Sequence, residues 1–360
     1  MRSGRRLRVL LVVALVGSGV SAGGAAAFEV AAAPDLQCVR LAQEIAPPVQ
    51  PTVPAGAFGI SSPFTSRALW VDPRSQAAVA AHQLPTSTDP STARRIRQIA
   101  AVPTAGWLTS PDVQGSRAQA GRILQEAAGA GRTAVLVAYV IPLRDCAAGE
   151  SAGGVRSGSA YQQWISGLIA VIAAIPQSRR SVAVILEPDA LSALDDLPAD
   201  RQAERLALLR WAADRLDRIA GVGVYLDAGH SDWVPSSVMA DRLAQAGIGK
   251  ARGFALNVSN FRSTADLLAY GQALSGQVGW KRFVVDTSRN GAGPAPDGAW
   301  CNPPGRALGA APSTSAHGQL DALLWIKPPG ESDGACAPGQ PPAGQFSVAL
   351  ADDLARTAGW

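Results

Sequence analysis

The feature that most narrows the fold is an alternation. Short runs rich in Val, Ile and Leu stand at Ala134–Ile141, Val182–Leu186, Gly223–Leu226, Gly253–Leu256, Phe283–Val285 and Leu323–Ile326, with a fainter one at Ala68–Val71. Between several of them lie longer stretches of helical period, at Tyr161–Ile175, Glu204–Ile219, Ser236–Ala246 and Thr264–Leu274. Strands joined through helices run parallel, and a parallel sheet covered by helices is buried on both faces. The runs are apolar at successive positions, as that burial requires. With 47% hydrophobic residues in 360, the chain can fill one sizeable core, and no internal repeat or second patterned core interrupts it. The expectation is an α/β fold built on a mostly parallel sheet, in a single domain over residues 55–360.

The start of the chain reads differently. Arg2, Arg5, Arg6 and Arg8 precede an apolar run from Val9 to Val20, and Ala25-Ala26-Ala27 forms a small-residue cleavage site. Residues 1–27 are therefore expected to be a signal peptide, with an uncleaved membrane anchor as the alternative. A Pro-rich segment over 28–54 leads into the main domain. Those four arginines account for the formal charge of +4, so the remainder is neutral and the pI of 9.1 is no sign of a nucleic-acid partner. Four cysteines, Cys38, Cys146, Cys301 and Cys336, suit two disulfides in an oxidising compartment. They lack paired C-x-x-C spacing, and His82, His230 and His317 are scattered; no metal site is expected.

The residues just past the strands carry the chemistry. Ile141 leads to Arg144-Asp145, Leu186 to Glu187-Pro188-Asp189, Leu226 to Asp227-Ala228-Gly229-His230, Val285 to Asp286, and Ile326 to a stretch holding Lys327, Glu331 and Asp333. One such acid reads as a helix N-cap. Five in series, at the strand ends where α/β enzymes place their sites, read as an acidic cleft. Crowded carboxylates resist simultaneous ionisation, so one stays protonated as a proton donor. Glycosidic hydrolysis needs such an acid, with a second carboxylate to take the proton of the attacking water. Trp70, Trp107, Trp233, Trp300 and Trp325 lie near the same loop ends, and indole faces stack on sugar rings. Trp325, inside a strand run, reads as core.

The successive segments "YVIPLRDCAAGESAGG", "VILEPDAL", "YLDAGHSDW", "WCNPPGRALG" and "LLWIKPPGESDG" resemble, in order, the signatures of glycoside hydrolase family 6, the inverting β-1,4-glucanases and cellobiohydrolases. The resemblance runs from Trp70 to Asp333. It implies a distorted, incomplete parallel β/α barrel, TIM-like with fewer than eight strands, and no cofactor. It places Asp189 as general acid, Asp145 as the aspartate that keeps the acid protonated, and Asp227 as a further aspartate near the cleaved bond. Asp333 is the candidate base, with a water relay to Asp145 as the rival route. Ser151 is the loop serine that positions water, and Tyr139 joins this catalytic set. Trp70, Arg144, His230, Trp233, Asn257, Arg289, Trp300, Lys327 and Glu331 are the implied substrate-binding residues. The implied partner is a β-1,4-glucan acted on by a secreted monomer, at internal bonds since little chain remains for long roofing loops, with cellobiohydrolase action as the alternative.

Two departures accompany the resemblance. Members often pair the "RDC" cysteine with one soon after "EPD", but no cysteine stands between Cys146 and Cys301 here. Against that pattern the expected disulfides are Cys38–Cys146 and Cys301–Cys336. A second tryptophan after "YLDAGH" is replaced by the run Val234-Pro235-Ser236, which weakens a distal subsite. Two other functions stay open. Gly149-Glu150-Ser151-Ala152-Gly153 matches the G-x-S-x-G of serine esterases, with Asp286 and His317 following in triad order, although no sharp strand-to-helix turn surrounds it. A glucan-binding relative without catalysis is the other.

Overall fold

All five residues of Val182–Leu186 are buried, and so are all six of Val222–Asp227: these are interior strands of a parallel sheet. The computed structural model describes residues 34–50, 62–64, 67–315 and 317–360; the expected signal peptide and part of the Pro-rich segment lie outside them. Seven strands are present among the described residues, β1 (Gly106–Leu108), β2 (Ala134–Ala138), β3 (Val182–Leu186), β4 (Val222–Asp227), β5 (Gly253–Leu256), β6 (Arg282–Asp286) and β7 (Leu320–Leu324). They pair in sequential order, every pair parallel. The two edge strands approach each other, and Ala105 N–H donates to Trp325 O at 3.0 Å while Trp107 Nε1 donates to Ile326 O at 2.8 Å. The result is an incomplete seven-stranded β/α barrel.

Alternate residues face opposite sides, as the strand period dictates. Val137, Ala183, Ile185, Tyr225, Ala255, Val284, Ala322 and Leu324 point inward, and three small alanines leave room for the one large ring. Leu136, Val184, Leu186, Val224, Leu226, Phe254, Leu256 and Val285 point outward into the main core. The helices are α1 (Leu36–Glu44), α2 (Gln76–Gln83), α3 (Pro90–Ala100), α4 (Val113–Gly129), α5 (Gly158–Ala173), α6 (Ala199–Asp217), α7 (Ser236–Gln245), α8 (Thr264–Gln277) and α9 (Val348–Thr357). Five of them, α4 to α8, supply buried residues to the outer core. Side-chain caps fix where several begin: Asp112 accepts from Gln114 N–H, Ser157 from Ala160 N–H and Ser263 from Asp266 N–H.

The expected run Ala68–Val71 makes one parallel bridge, Leu69 to Thr133, at the foot of the edge of β2 that β1 occupies higher up. The true first strand, Gly106-Trp107-Leu108, is too short to leave a periodic pattern. β2 ends at Ala138 rather than Ile141, and β7 runs over Leu320–Leu324 rather than Leu323–Ile326. At the other end of the barrel Asp321 is buried against Tyr225 Oη at 2.7 Å and Arg252 at 2.7 and 2.9 Å. This acid inside β7, with a register shift beside it, breaks the apolar run that would mark the strand. No helix among the described residues is long and apolar enough to cross a membrane.

Candidate active site

Two carboxylates finish the sheet where its backbone ladder stops. Glu187, after β3, accepts from Val140 N–H at 2.9 Å and Ile141 N–H at 3.0 Å. Asp286, ending β6, accepts from Ser288, Ile326, Lys327 and Ser259 N–H groups. Each takes the place of a neighbouring strand's carbonyls, so the loops after β2, β5 and β7 are held at fixed heights. Burial pushes Glu187 up to about 7 and raises Asp286 as well. Of the eight non-glycine residues with left-handed φ among the described residues, seven lie on loops leaving strand C-termini, including Asp145, Glu187, Asp189 and Asn302. Such strain persists only where surrounding bonds hold it.

Asp189 sits half-buried on this rim. Its N–H donates to Asp227 Oδ1 at 3.0 Å, as does Gly229 N–H at 3.1 Å. Burial holds the Asp189 carboxyl well above the usual range, reinforced by the charges of Asp227, Asp145 and Asp333. Burial likewise raises Asp227 to about 7. Gly229 is obligatory: it has φ +63°, and a Cβ there would meet Ser192 Oγ at 2.2 Å. Asp145 Oδ2 accepts from Ser151 Oγ at 2.6 Å and Ser151 N–H at 3.0 Å. Tyr139 Oη lies 3.1 Å from the same Oγ. Arg144 folds over the Tyr139 ring at 4.5 Å and donates through Nε to Ser151 O at 2.9 Å, fixing the loop on itself.

Asp333 has opposite surroundings. Its Oδ2 accepts from Arg289 at 2.8 Å and Asn302 N–H at 3.1 Å, and Lys327 Nζ lies 3.7 Å from Oδ1. Arg289 also packs over Phe261 at 4.4 Å. Lys327 Nζ donates to Ser332 O at 3.1 Å and stands 5.6 Å from the Trp107 ring; burial lowers its ammonium pKa.

These groups border one cavity of about 870 Å³, lined by Trp70, Trp107, Tyr139, Arg144, Asp145, Ser151, Asp189, His230, Trp233, Trp300, Lys327, Glu331 and Asp333 among others. Trp233 and Trp300 are 41% and 46% exposed, faces open to a ligand. His230 is pushed down to about 4 by burial, then by Arg262, so its ring is neutral. Glu331 is raised to about 7 by burial and accepts from Gln76 Nε2 at 2.7 Å. Among the described residues no cluster of His, Cys, Asp or Glu can hold a metal ion.

The sequence profile of glycosyl hydrolases family 6 matches residues 64–358. The chain belongs to this family. It is 43% identical over 300 residues to Endoglucanase A of Cellulomonas fimi, covering 83% of this chain and 63% of that protein. Identity is 44% over 255 residues to Endoglucanase 1 of Streptomyces halstedii, 69% of this chain and 76% of the relative. The chain thus spans less than two thirds of the first relative's length. In structure it superposes with a TM-score of 0.76 on the endoglucanase Cel6 from Mycobacterium tuberculosis, solved in complex with methyl-cellobiosyl-4-deoxy-4-thio-β-D-cellobioside. That match has 42% identity and covers 83% of this chain and all of the other.

Among the family residues expected from sequence, most reach the cavity wall. Three stand behind it. Asp227 is buried beneath Asp189, and Arg289 behind Asp333. Asn257 is buried with φ +66°, donating to Asp286 O at 2.8 Å and Asn260 O at 3.1 Å, so it shapes the rim without lining the cavity. Both expected disulfides are formed, Cys38–Cys146 tying α1 to the loop after β2, and Cys301–Cys336 closing the loop of Asp333. Trp325 is core, stacked on Trp360 at 5.9 Å. The esterase constellation is not assembled. Asp286 is occupied by backbone N–H groups, His317 bridges Leu320 at the start of β7, and Ser151 Oγ bonds to Asp145 and Tyr139.

Sequence reasoning missed Asn302, whose side chain accepts from Asp333 N–H at 2.8 Å and donates to Gly334 O at 2.9 Å. It also missed Gln76, which donates to both Glu331 and Gly344 O. Neither neutral amide carried a signal, although Asn302 stands beside Cys301.

Proposed function

We propose that the protein is an exported, inverting endo-β-1,4-glucanase that cleaves internal bonds of cellulose-like glucans as a monomer, with Asp189 as general acid. One observation carries the reading: a half-buried carboxyl on the rim of a tryptophan-flanked groove, set among Asp227, Asp145 and Asp333, with burial and those charges raising its pKa. A protonated Asp189 donates to the glycosidic oxygen as the bond to the anomeric carbon breaks. Water attacks the opposite face, and its proton passes to Ser151 Oγ while the serine proton moves to Asp145 Oδ2. The hydroxyl already donates to that oxygen at 2.6 Å and keeps a lone pair for the water. Asp333, the other candidate base, has Oδ2 doubly engaged and Oδ1 facing Lys327, which favours the relay. Trp70, Trp233 and Trp300 stack on sugar rings, and Arg144, His230, Lys327 and Glu331 meet their hydroxyls. Two disulfides suit an extracellular setting.

The test is reducing-end release from a soluble β-1,4-glucan by residues 28–360, beside Asp189→Asn and an aryl ester. We expect glucan cleavage with the α anomer released first, and a loss of about 10³-fold in the variant. Ester turnover without glucan cleavage would return Ser151 to the role of nucleophile. Glucan binding without cleavage would make the chain a binding relative.

A further inference from the structure

The loop after β2 forms a flap. Its neck is the antiparallel pair Arg144 and Gly153, with Gly153 N–H donating to Arg144 O at 3.0 Å. Gly154, at φ +87°, lets the chain return so closely that a Cβ would meet Ile141 O at 2.0 Å. Cys38–Cys146 pins one side of the neck. The tip, Ala148 to Ala152, lines the cavity that Asp333, Pro342, Ala343 and Gly344 line from the loop after β7.

One hydrogen bond among the described residues joins the tip to that loop: Ala335 N–H donates to Glu150 Oε2 at 3.1 Å. Glu150 lies so flat against the chain there that a Cβ on Gly334 would meet its Oε2 at 2.3 Å and its Cδ at 2.8 Å. The receiving loop is rigid, held by Cys301–Cys336 and by Asn302 and Ser332 on Gly334 O. A single exposed side chain therefore bridges the segment carrying Asp145 and Ser151 and the segment carrying Asp333.

We propose that Glu150 is a latch between these two loops, and that its release sets how readily the middle of a long glucan chain, rather than the end of a short one, reaches Asp189. On this proposal the bridge spans the groove, so a chain end can slide along beneath it while an internal segment has to pass it. The apparent affinity for a long chain is then reduced by the fraction of molecules that are open. One solvent-exposed hydrogen bond sets that fraction, which makes the latch easy to open and its effect modest. This specificity role rests on the glucanase reading above.

The experiment compares wild type, Glu150→Ala and, as an independent route, Gly334→Ala, whose methyl group pushes the carboxylate off its seat. Each is assayed on a long soluble β-1,4-glucan and on cellotetraose, with viscosity followed against reducing ends. Both variants should raise the ratio of kcat/KM on the long glucan to that on the tetramer about two- to tenfold, mainly through KM. Viscosity should fall further per end released. Glu150 is exposed, so Tm should stay put for Glu150→Ala, and parallel changes on both substrates would reduce the residue to a structural prop. A wild type active on both glucans, with the Glu150→Ala ratio unmoved, overturns the latch alone. A wild type that cleaves neither overturns the glucanase reading and the latch together.

Discussion

Asp189 and Asp333 border the same groove, on loops leaving β3 and β7, and nothing in their side chains distinguishes them. Their neighbours do. Burial raises the pKa of the Asp189 carboxyl, and the charges of Asp227, Asp145 and Asp333 add to it, so the folded protein keeps a proton there. Asp333 is gripped by Arg289 and Asn302 N–H, with Lys327 close behind. One side of the groove keeps a proton, and the other surrounds its carboxyl with cationic and N–H donors. Glycosidic hydrolysis requires one carboxyl that holds its proton in this way.

The contrast should appear as opposite stability effects. Arg289→Met leaves the buried Asp333 carboxyl with Asn302 N–H and Lys327 alone, and removing one partner of a buried pair typically costs about 3–5 kcal/mol. We expect about 3 kcal/mol lost, read as a lower denaturation midpoint at pH 7. Asp189→Asn should do the reverse. A carboxyl whose folded pKa lies above its ordinary value of 3.8 keeps its proton when folded and releases it when unfolded. Stability is therefore lost as pH rises from about 4 toward the raised pKa. Asparagine has no proton to lose, so the inactive variant should melt higher than wild type at pH 7 and no higher at pH 3. Equal melting at both pH values would mean that Asp189 ionises freely, and the contrast would collapse.

Why were the charged groups of the groove legible in sequence and the neutral ones that hold them less so? The parallel sheet follows from βα alternation, its closing into an incomplete barrel from the family resemblance, and the acids from their places just past each strand. The errors share a physical cause. Val140, Ile141 and Ile326 keep the apolar pattern of a strand, but their N–H groups turn to the side chains of Glu187 and Asp286, so the ladder stops before the pattern does. Asp321 hides the start of β7 because its partners, Tyr225 and Arg252, come from β4 and the approach to β5. Asn302 was invisible because an amide contributes geometry without charge. Asn257 was placed against substrate when its bonds run to backbone carbonyls, a distinction that only packing reveals. The family motifs named acids that gather at one end of the sheet; they did not tell which of them stand one layer back.

The relay offers a subtler probe of the acidic side. Ser151→Ala removes the hydroxyl between Tyr139 and Asp145 but leaves the flap's bond from residue 151 N–H to Asp145 intact. Turnover on glucan should drop about 10- to 100-fold with KM little changed, and a fluorophosphonate should leave wild-type Ser151 unlabelled. A labelled serine would revive covalent catalysis. Full activity in the variant would pass the proton to Asp333, making the clamped carboxylate the base.

The smallest effect tests how the acidic side holds its proton. Asp227→Asn preserves an Oδ1 acceptor for Asp189 and Gly229 N–H, so the loop should keep its shape. What disappears is a charge that develops only above about pH 7, where Asp227 itself ionises. In the proposed role Asp189 works protonated, so activity should fail as pH rises through its pKa. Without the neighbouring charge that pKa falls, and the alkaline limb of the kcat profile should move down by about one unit, with the acid limb unmoved. If the alkaline limb stays where it is in wild type, burial alone keeps Asp189 protonated. The crowd of acids would then be there to steady positive charge developing on the sugar, and the difference between the two sides of the groove would be one of solvent access more than of neighbours.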